Sequence, residues 1–228
     1  MVQLVICFSS RTYRRQPCHK NMSSIVVSPS DDPAILEKFH QYLPISPENQ
    51  TGLVFYDPAQ YIITPSKNKV SKEAFIYGSQ NIVLQGYVIV EKKCLIRGDL
   101  ANIRVDVHTI IHQNVIVRPP LKYFTKGVAF FPMVIGTHTI IGENSVINSI
   151  QIGNYVEIGK NVILGKRTKI RDCVIIEDNV VLPDDTHIPP FTRVKAPFVQ
   201  VHHDLNYSFK SVMEKATKLF YDNFKPNA

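Results

Sequence analysis

Ile135-Gly136-Thr137-His138-Thr139-Ile140-Ile141-Gly142-Glu143-Asn144-Ser145-Val146-Ile147 sets an aliphatic anchor at every sixth residue. The pattern continues through Ile152, Ile158, Leu164, Ile170, Ile176, Leu182, Ile188 and Val194, with one five-residue step from Ile147 to Ile152. The residue after each anchor is often glycine (Gly136, Gly142, Gly153, Gly159, Gly165), and the fourth after is small or β-branched, from Thr139 and Ser145 to Thr186 and Thr192. Neither the helical nor the strand repeat gives a period of six. A short strand, a tight corner and another short strand do, if the chain winds so that each coil stacks on the last. The anchor then points inward on a flat face, and the small residue fits the narrower space near a corner. Glycine after the anchor is expected to supply a positive φ at the corner, and Asn148 tolerates the same conformation. Arg171, Glu177, Pro183 and Pro189 take that place later, so the corners are expected to become less regular. A β-sandwich would instead need turn signals about every 8 to 12 residues.

Val134 to Val194 thus resembles the hexapeptide repeat of left-handed parallel β-helices. The expected fold is mainly β: a left-handed β-helix over 53–198 with an excursion loop at 119–133. An N-terminal extension of little fixed structure is expected over 1–52, and a helical segment over 199–228.

A chain of 228 residues with 44% hydrophobic residues is long enough for one domain with a sizeable core. No apolar run approaches the roughly 20 residues that span a bilayer, so a soluble protein is expected. Cys7, Cys18, Cys94 and Cys173 are scattered without a Cys-x-x-Cys pair, which reads as reduced thiols in a cytosolic setting. The net charge of +7 owes much to Arg11, Arg14, Arg15 and Lys20, which precede the first acidic residue, Asp31. The repeat mixes signs and carries no nucleic-acid-binding motif, so no nucleic acid is expected. The acid-free, Arg- and Ser-containing start also has the composition of a mitochondrial transit peptide, with an unrelated extension as the alternative. Within the extension, Asp32 to Tyr42 is expected to form a short helix.

From Leu53 the chain becomes strand-like. Leu53–Tyr56, Tyr61–Thr64, Phe75–Tyr77, Ile82–Leu84, Val88–Val90 and Cys94–Ile96 read as early coils of less regular period. Arg118-Pro119-Pro120 breaks the winding, and the segment to Met133 reads as a loop whose aromatics pack on the outer wall or form an exposed patch. After Pro197 the period turns helical: Phe209, Val212, Met213, Ala216, Leu219 and Phe220 share one face. That stripe either packs along the β-helix wall or is shared with another subunit.

An Arg97-Gly98-Asp99 near the start of the regular coils and a five-residue step in the middle resemble the γ-class carbonic anhydrases. The three zinc-binding histidines of that family match Arg118, Glu143 and Asn148 here, and a family glutamine matches His112. An arginine, a carboxylate and an amide do not suit catalytic zinc. The resemblance is to the fold and against the activity. His108, His112 and His138 fall at different corners by the sixfold count, and each reads as exposed or hydrogen-bonded. Hexapeptide acyltransferases also share the fold, but the general-base histidine common in them has no counterpart in Pro119–Met133.

Gly78-Ser79-Gln80-Asn81-Ile82-Val83-Leu84, Ile96-Arg97-Gly98-Asp99-Leu100-Ala101-Asn102 and Arg118-Pro119-Pro120 with Lys126-Gly127-Val128-Ala129-Phe130-Phe131-Pro132 are similar to the dynactin subunit 5 family. So are Gln151-Ile152-Gly153, Gly159-Lys160-Asn161 and Pro189-Pro190-Phe191-Thr192. The resemblance implies a noncatalytic subunit of the dynactin pointed-end complex, cytoplasmic and cytoskeleton-associated, with no catalytic residue, cofactor or metal. Implied partners are the related β-helical subunit 6, subunit 4, an actin-related protein, dynein and cargo adaptors. Lys126, Phe130, Phe131, Pro132, Phe209, Met213 and Phe220 are the candidate contacts. A mitochondrial γ-carbonic-anhydrase-like subunit, probed by import, and an acyltransferase are the alternatives. Arg97 and Asp99 read as a structural charge pair.

Overall fold

Three flat walls follow one another round the axis, and the chain visits them in order for six turns. The structure, a computed structural model, describes residues 54–125, 127–197, 199–202 and 205–227. Lys126, Cys7, Cys18, the 1–52 extension and its Asp32–Tyr42 helix lie outside them. The first wall runs from Tyr61–Ile63 and Lys69–Ser71 through Ile89–Val90, Ile110–Ile111, Ile140–Ile141, Glu157–Ile158 and Ile175–Ile176 to Thr192–Lys195 and Val199–His202. Phe75–Tyr77, Leu95–Arg97, Ile116–Val117, Val146–Ile147, Ile163–Leu164 and Val181–Leu182 build the second wall. The third consists of Ile82–Leu84, Ile103–Val105, Met133–Ile135, Gln151–Ile152, Lys169–Ile170 and His187–Ile188. Neighbouring coils pair in parallel, while the two end strands of the first wall pair antiparallel. The fold is a left-handed β-helix of the hexapeptide-repeat kind.

The anchors fill the interior, as the six-residue period requires. Ile135, Ile141, Ile147, Ile158, Leu164, Ile170, Ile176, Ile188 and Val194 are wholly buried in one cluster with Val156, Val162, Val174 and Val180. Anchor lies on anchor three walls later: Ile147 beside Leu164, Leu164 beside Leu182. The five-residue step keeps that register because Val134 and Ile135 pair with Gln151 and Ile152.

The corners differ from the sequence expectation. Positive φ falls on the third residue after the anchor, at His138, Asn144, Tyr155, Asn161, Arg167, Cys173, Asn179, Asp185 and Phe191, and not on the glycines that follow the anchors. Those glycines answer to stacking. A Cβ on Gly142 would sit 2.5 Å from the carbonyl carbon of Gly159 one coil away, and one on Gly165 would sit 2.5 Å from that of Pro183. An acidic or amide ladder locks the same corners. Asp178 Oδ1 accepts from the Lys160 amide (2.7 Å), and Asp184 Oδ1 from that of Lys166 (2.7 Å).

Two of the expected early coils are end pieces. Val54–Tyr56 pairs in parallel with Phe224–Pro226, and Tyr61–Ile63 lies antiparallel on Lys69–Ser71, where the winding begins. Aromatic packing holds the first of these, with Tyr56 stacked 4.7 Å from Phe224 and tilted against Tyr61 at 4.8 Å. The excursion is an antiparallel hairpin, Leu121–Phe124 with Gly127–Phe130, set at the corner between the second and third walls.

Candidate partner-binding surfaces

The residue before each anchor points outward, so each wall carries an outer ladder of one side chain per coil. On the first wall it reads Ile89, Ile110, Ile140, Glu157, Ile175 and Arg193. The helix α1, Phe209–Asn223, lies over this ladder. Its Phe209 and Met213, with Phe224 just beyond its end, share one buried cluster with Ile89, Ile110, Ile140 and Ile175. Fifteen residues span about 22 Å, close to five coil spacings of about 4.8 Å. The apolar stripe of the sequence is therefore spent on the chain's own wall: Phe209 and Met213 are buried, Phe220 is half-buried, and Leu219 is left exposed.

A column of rings runs along one corner beneath α1. Tyr87, His108, His138 and Tyr155 stack at 4.8, 5.0 and 5.4 Å. His108 and His138 therefore share a corner, contrary to the sixfold count, because the hairpin adds residues between them without adding a corner. Tyr221 meets Tyr87 and His108 edge-on, and Thr217 Oγ1 lies 2.7 Å from His138 Nδ1. Burial, with His108 alongside, pushes the His138 imidazole down to about 4. Glu157 stands in the ladder between Ile140 and Ile175, and burial pushes its carboxyl up to about 8 against the pull of Arg193. His112 takes another corner, with Nδ1 3.1 Å from Glu91 Oε1 and Phe220 edge-on to its ring.

The second wall has an outer ladder too: Phe75, Leu95, Ile116, Val146, Ile163 and Val181. All six are apolar. No described element covers them, and Phe75, Ile163 and Val181 are about half exposed, at 56%, 44% and 52%. The strip is about 24 Å long at the usual strand spacing. On the third wall the ladder is mixed: Val83, Arg104, Val134, Gln151, Lys169 and His187. A continuous apolar strip bordered by polar corners is the kind of surface that proteins bury against partners.

The hairpin stands beside this strip. Tyr123, Phe124 and Val128 are exposed, Tyr123 by 73%, whereas Phe130 and Phe131 are half-buried and Pro132 is exposed. Its base is fixed by the Phe131 amide donating to Pro120 O and by Arg167 donating to Leu121 O. From this loop the sequence reading named Lys126, between the two strands, and Phe130, Phe131 and Pro132, at the base, as contacts, and left out the exposed rings Tyr123 and Phe124. It missed the second-wall strip as well, although reading the residue before every third anchor yields Val146, Ile163 and Val181 directly.

Arg118 and Asn148 sit on successive coils at one corner, with the Arg118 amide donating to Ile147 O. Asn148 turns its amide nitrogen toward Leu164 O (3.4 Å), and Glu143, at a different corner, faces Lys160 Nζ at 3.7 Å. Among the described residues no group of three or more His, Cys, Asp or Glu is placed to hold a metal. Arg97 grips Asp99 through two hydrogen bonds of 2.7 and 2.8 Å and lies over the Tyr77 ring. No helix among the described residues is long and apolar enough to cross a membrane.

Comparison with known proteins follows the same lines. Residues 49–228 match the family model described as dynactin subunit 5. A Dictyostelium discoideum protein named dynactin subunit 5 is 38% identical over 86 residues, which cover 38% of this chain and 43% of that protein. The match thus spans less than half the length of that relative. Among solved structures, a putative acetyltransferase from Bacillus cereus covers 68% of this chain and 88% of its own at 16% identity, with a TM-score of 0.37. A maltose O-acetyltransferase from Clostridium difficile 630 covers 75% and 82% at 18% identity, with a TM-score of 0.35. Likenesses this distant carry no argument about activity.

Proposed function

The chain belongs to the dynactin subunit 5 family, and from that premise we propose that it is a noncatalytic scaffold subunit of the dynactin pointed-end complex. In this reading it works in the cytoplasm on the cytoskeleton, pairs with a related β-helical subunit, and supports dynein-driven transport and attachment of cargo adaptors. The observation that carries the scaffold role is the uncovered apolar ladder Phe75–Leu95–Ile116–Val146–Ile163–Val181. A helix of the chain's own covers the equivalent ladder on the first wall, so the second wall is the face left for another protein. Its rigidity suits it to the task, because parallel coils pinned by buried anchors and corner ladders present a preformed surface with little ordering cost on binding. The hairpin tip, Tyr123 with Phe124, adds an aromatic anchor at its edge.

The test is the size of the particle that carries the tagged full chain in extract from its own cells. The wild-type chain is expected in an assembly many times its own 25.9 kDa. Ile163→Lys with Val181→Lys is expected to release it as a free folded chain, since both side chains are outward. A wild-type chain that migrates alone, or a double variant that stays in the assembly, would refute the assignment.

A further inference from the structure

The C-terminal end of α1 is held by a cation that the helix does not supply. The last carbonyls of a helix lack partners within it and carry the negative end of its dipole, and the last turn of α1 contains no basic residue. Lys69, in the strand where the winding begins, brings the charge from the solenoid. Its Nζ donates to Tyr221 O at 3.0 Å and to Phe224 O at 2.6 Å. The same ammonium lies 4.0 Å from the Tyr221 ring centroid, 5.6 Å from that of Phe224 and 5.8 Å from that of Tyr56, a range in which an aromatic face attracts a cation. Burial pushes its pKa below the ordinary lysine range, with Asp222 pulling the other way. Two residues earlier, Lys67 O accepts from the Tyr221 hydroxyl at 2.6 Å.

Lys69 also reaches the place where the two ends of the described chain meet. Val54–Tyr56 pairs with Phe224–Pro226, three residues against three, and neither strand is hydrogen-bonded to a wall. So short a two-stranded pair does not stand by itself in water, and side chains keep it in place. Tyr61 meets Phe224 edge-on at 5.4 Å beside the stacked Tyr56, and Phe224 stacks on Phe220 of α1 at 6.2 Å. Helix and strand pair are thus one packed unit. Among the described residues, its side-chain hydrogen bonds to the solenoid are that of Thr217 with His138 and, at the helix end, the three made by Lys69 and Tyr221. Beneath the unit lie Ile89, Ile110, Ile140 and Ile175.

We infer that α1 and the strand pair form a strap that opens from the first wall as one unit, and that the Lys69 ammonium sets how often it does so. With the charge in place the strap seals the ladder of isoleucines. With the charge removed, Tyr221 O and Phe224 O lose their partner, and the closed state loses two charge-assisted hydrogen bonds. Exposure of a second apolar wall therefore depends on one charge. The strap does not rest on the scaffold reading, which concerns the second wall.

Amide exchange on the full chain decides it. With acetyl-lysine incorporated at position 69, which keeps the stem and removes the charge, residues 209–226 and Val54–Tyr56 are expected to exchange about 100-fold faster and in step, with 135–176 unchanged as the control for an intact fold. Lys69→Met is expected to do the same, and Lys69→Arg, which keeps the charge and its donors, to stay close to the wild type. Four results overturn the assignment: unaltered exchange in α1 with either neutral side chain, acceleration of α1 without Val54–Tyr56, acceleration that extends to 135–176, or a loss of protection in Lys69→Arg as large as in Lys69→Met.

Discussion

His138 Nδ1 lies 2.7 Å from Thr217 Oγ1, the only side-chain hydrogen bond described between the corner column and α1. Thr217 Oγ1 in turn donates to Met213 O at 2.8 Å, so a helix hydroxyl stands between its own backbone and the imidazole. His138 must stay neutral to be buried there, and its pKa is accordingly pushed down from 6.5 to about 4. A depressed histidine gives stability that is fully present above 6.5 and lost as the pH falls toward 4. We expect His138→Gln to unfold less steeply with acid than the wild type in that window, as read by thermal melting. An unchanged slope would remove His138 from the acid response.

Glu157 works in the opposite sense. Burial raises its carboxyl from 4.5 to about 8, so the folded chain keeps a proton that the unfolded chain has lost. Stability therefore declines as the pH rises from 4.5 to 8 and levels off above. Glu157→Gln is expected to flatten that decline and to raise the melting temperature at pH 8 by a few degrees, with little gain at pH 4.5. Equal gains at both values would mean that packing alone had changed. Between 4.5 and 6.5 the two residues oppose each other, so the single variants reveal slopes that the wild type conceals.

Val162 is wholly buried among the anchors. Val162→Asp places a charge in that interior without a partner, at a cost of several kcal/mol. We expect loss of soluble folded protein, read as yield and cooperative melting.

Gly142→Ala is a milder test of coil stacking. Its new Cβ would lie 2.5 Å from the Gly159 carbonyl carbon, with backbone and not a flexible side chain in the way. A loss of about 1–3 kcal/mol is expected by denaturant titration. A neutral result would show that the corner can widen.

On the hairpin, Tyr123→Ser with Phe124→Ser should leave melting unchanged, since both side chains are exposed, while weakening capture of partners. Phe130→Ala with Phe131→Ala should weaken capture more than folding if the base of the hairpin takes part. Equal loss of capture and stability would make those two half-buried rings packing residues.

The period of six made the β-helix legible because inward anchors obey a strict steric rule, and Ile135 to Val194 keeps it almost without exception. Corner chemistry was less legible. Glycine signals either positive φ or close approach, and at Gly142 and Gly165 the second applies. The left-handed residue is instead Asn or Asp at 144, 161, 179 and 185, where composition marks it, but His138, Tyr155, Arg167, Cys173 and Phe191 elsewhere, where it does not. The histidine corners were misplaced because the sixfold count was carried across the excursion at 119–133, which adds residues between His108 and His138 without adding a corner. Val54–Tyr56 read as a coil because strand propensity does not tell whether the partner is the next coil or, as here, Phe224–Pro226 at the far end of the chain. The wall ladders were present in the sequence as the residues before the anchors, and only sorting them by wall shows one mixed, one covered by α1 and one apolar and open.

Whether the proposed scaffold sits in a dynactin assembly is decided by recovering the tagged full chain at native level and identifying by mass spectrometry what stays bound. A second hexapeptide-repeat protein, an actin-related protein and dynein chains are the expected companions. Recovery of respiratory-complex subunits, or of the chain alone, would overturn the proposed function.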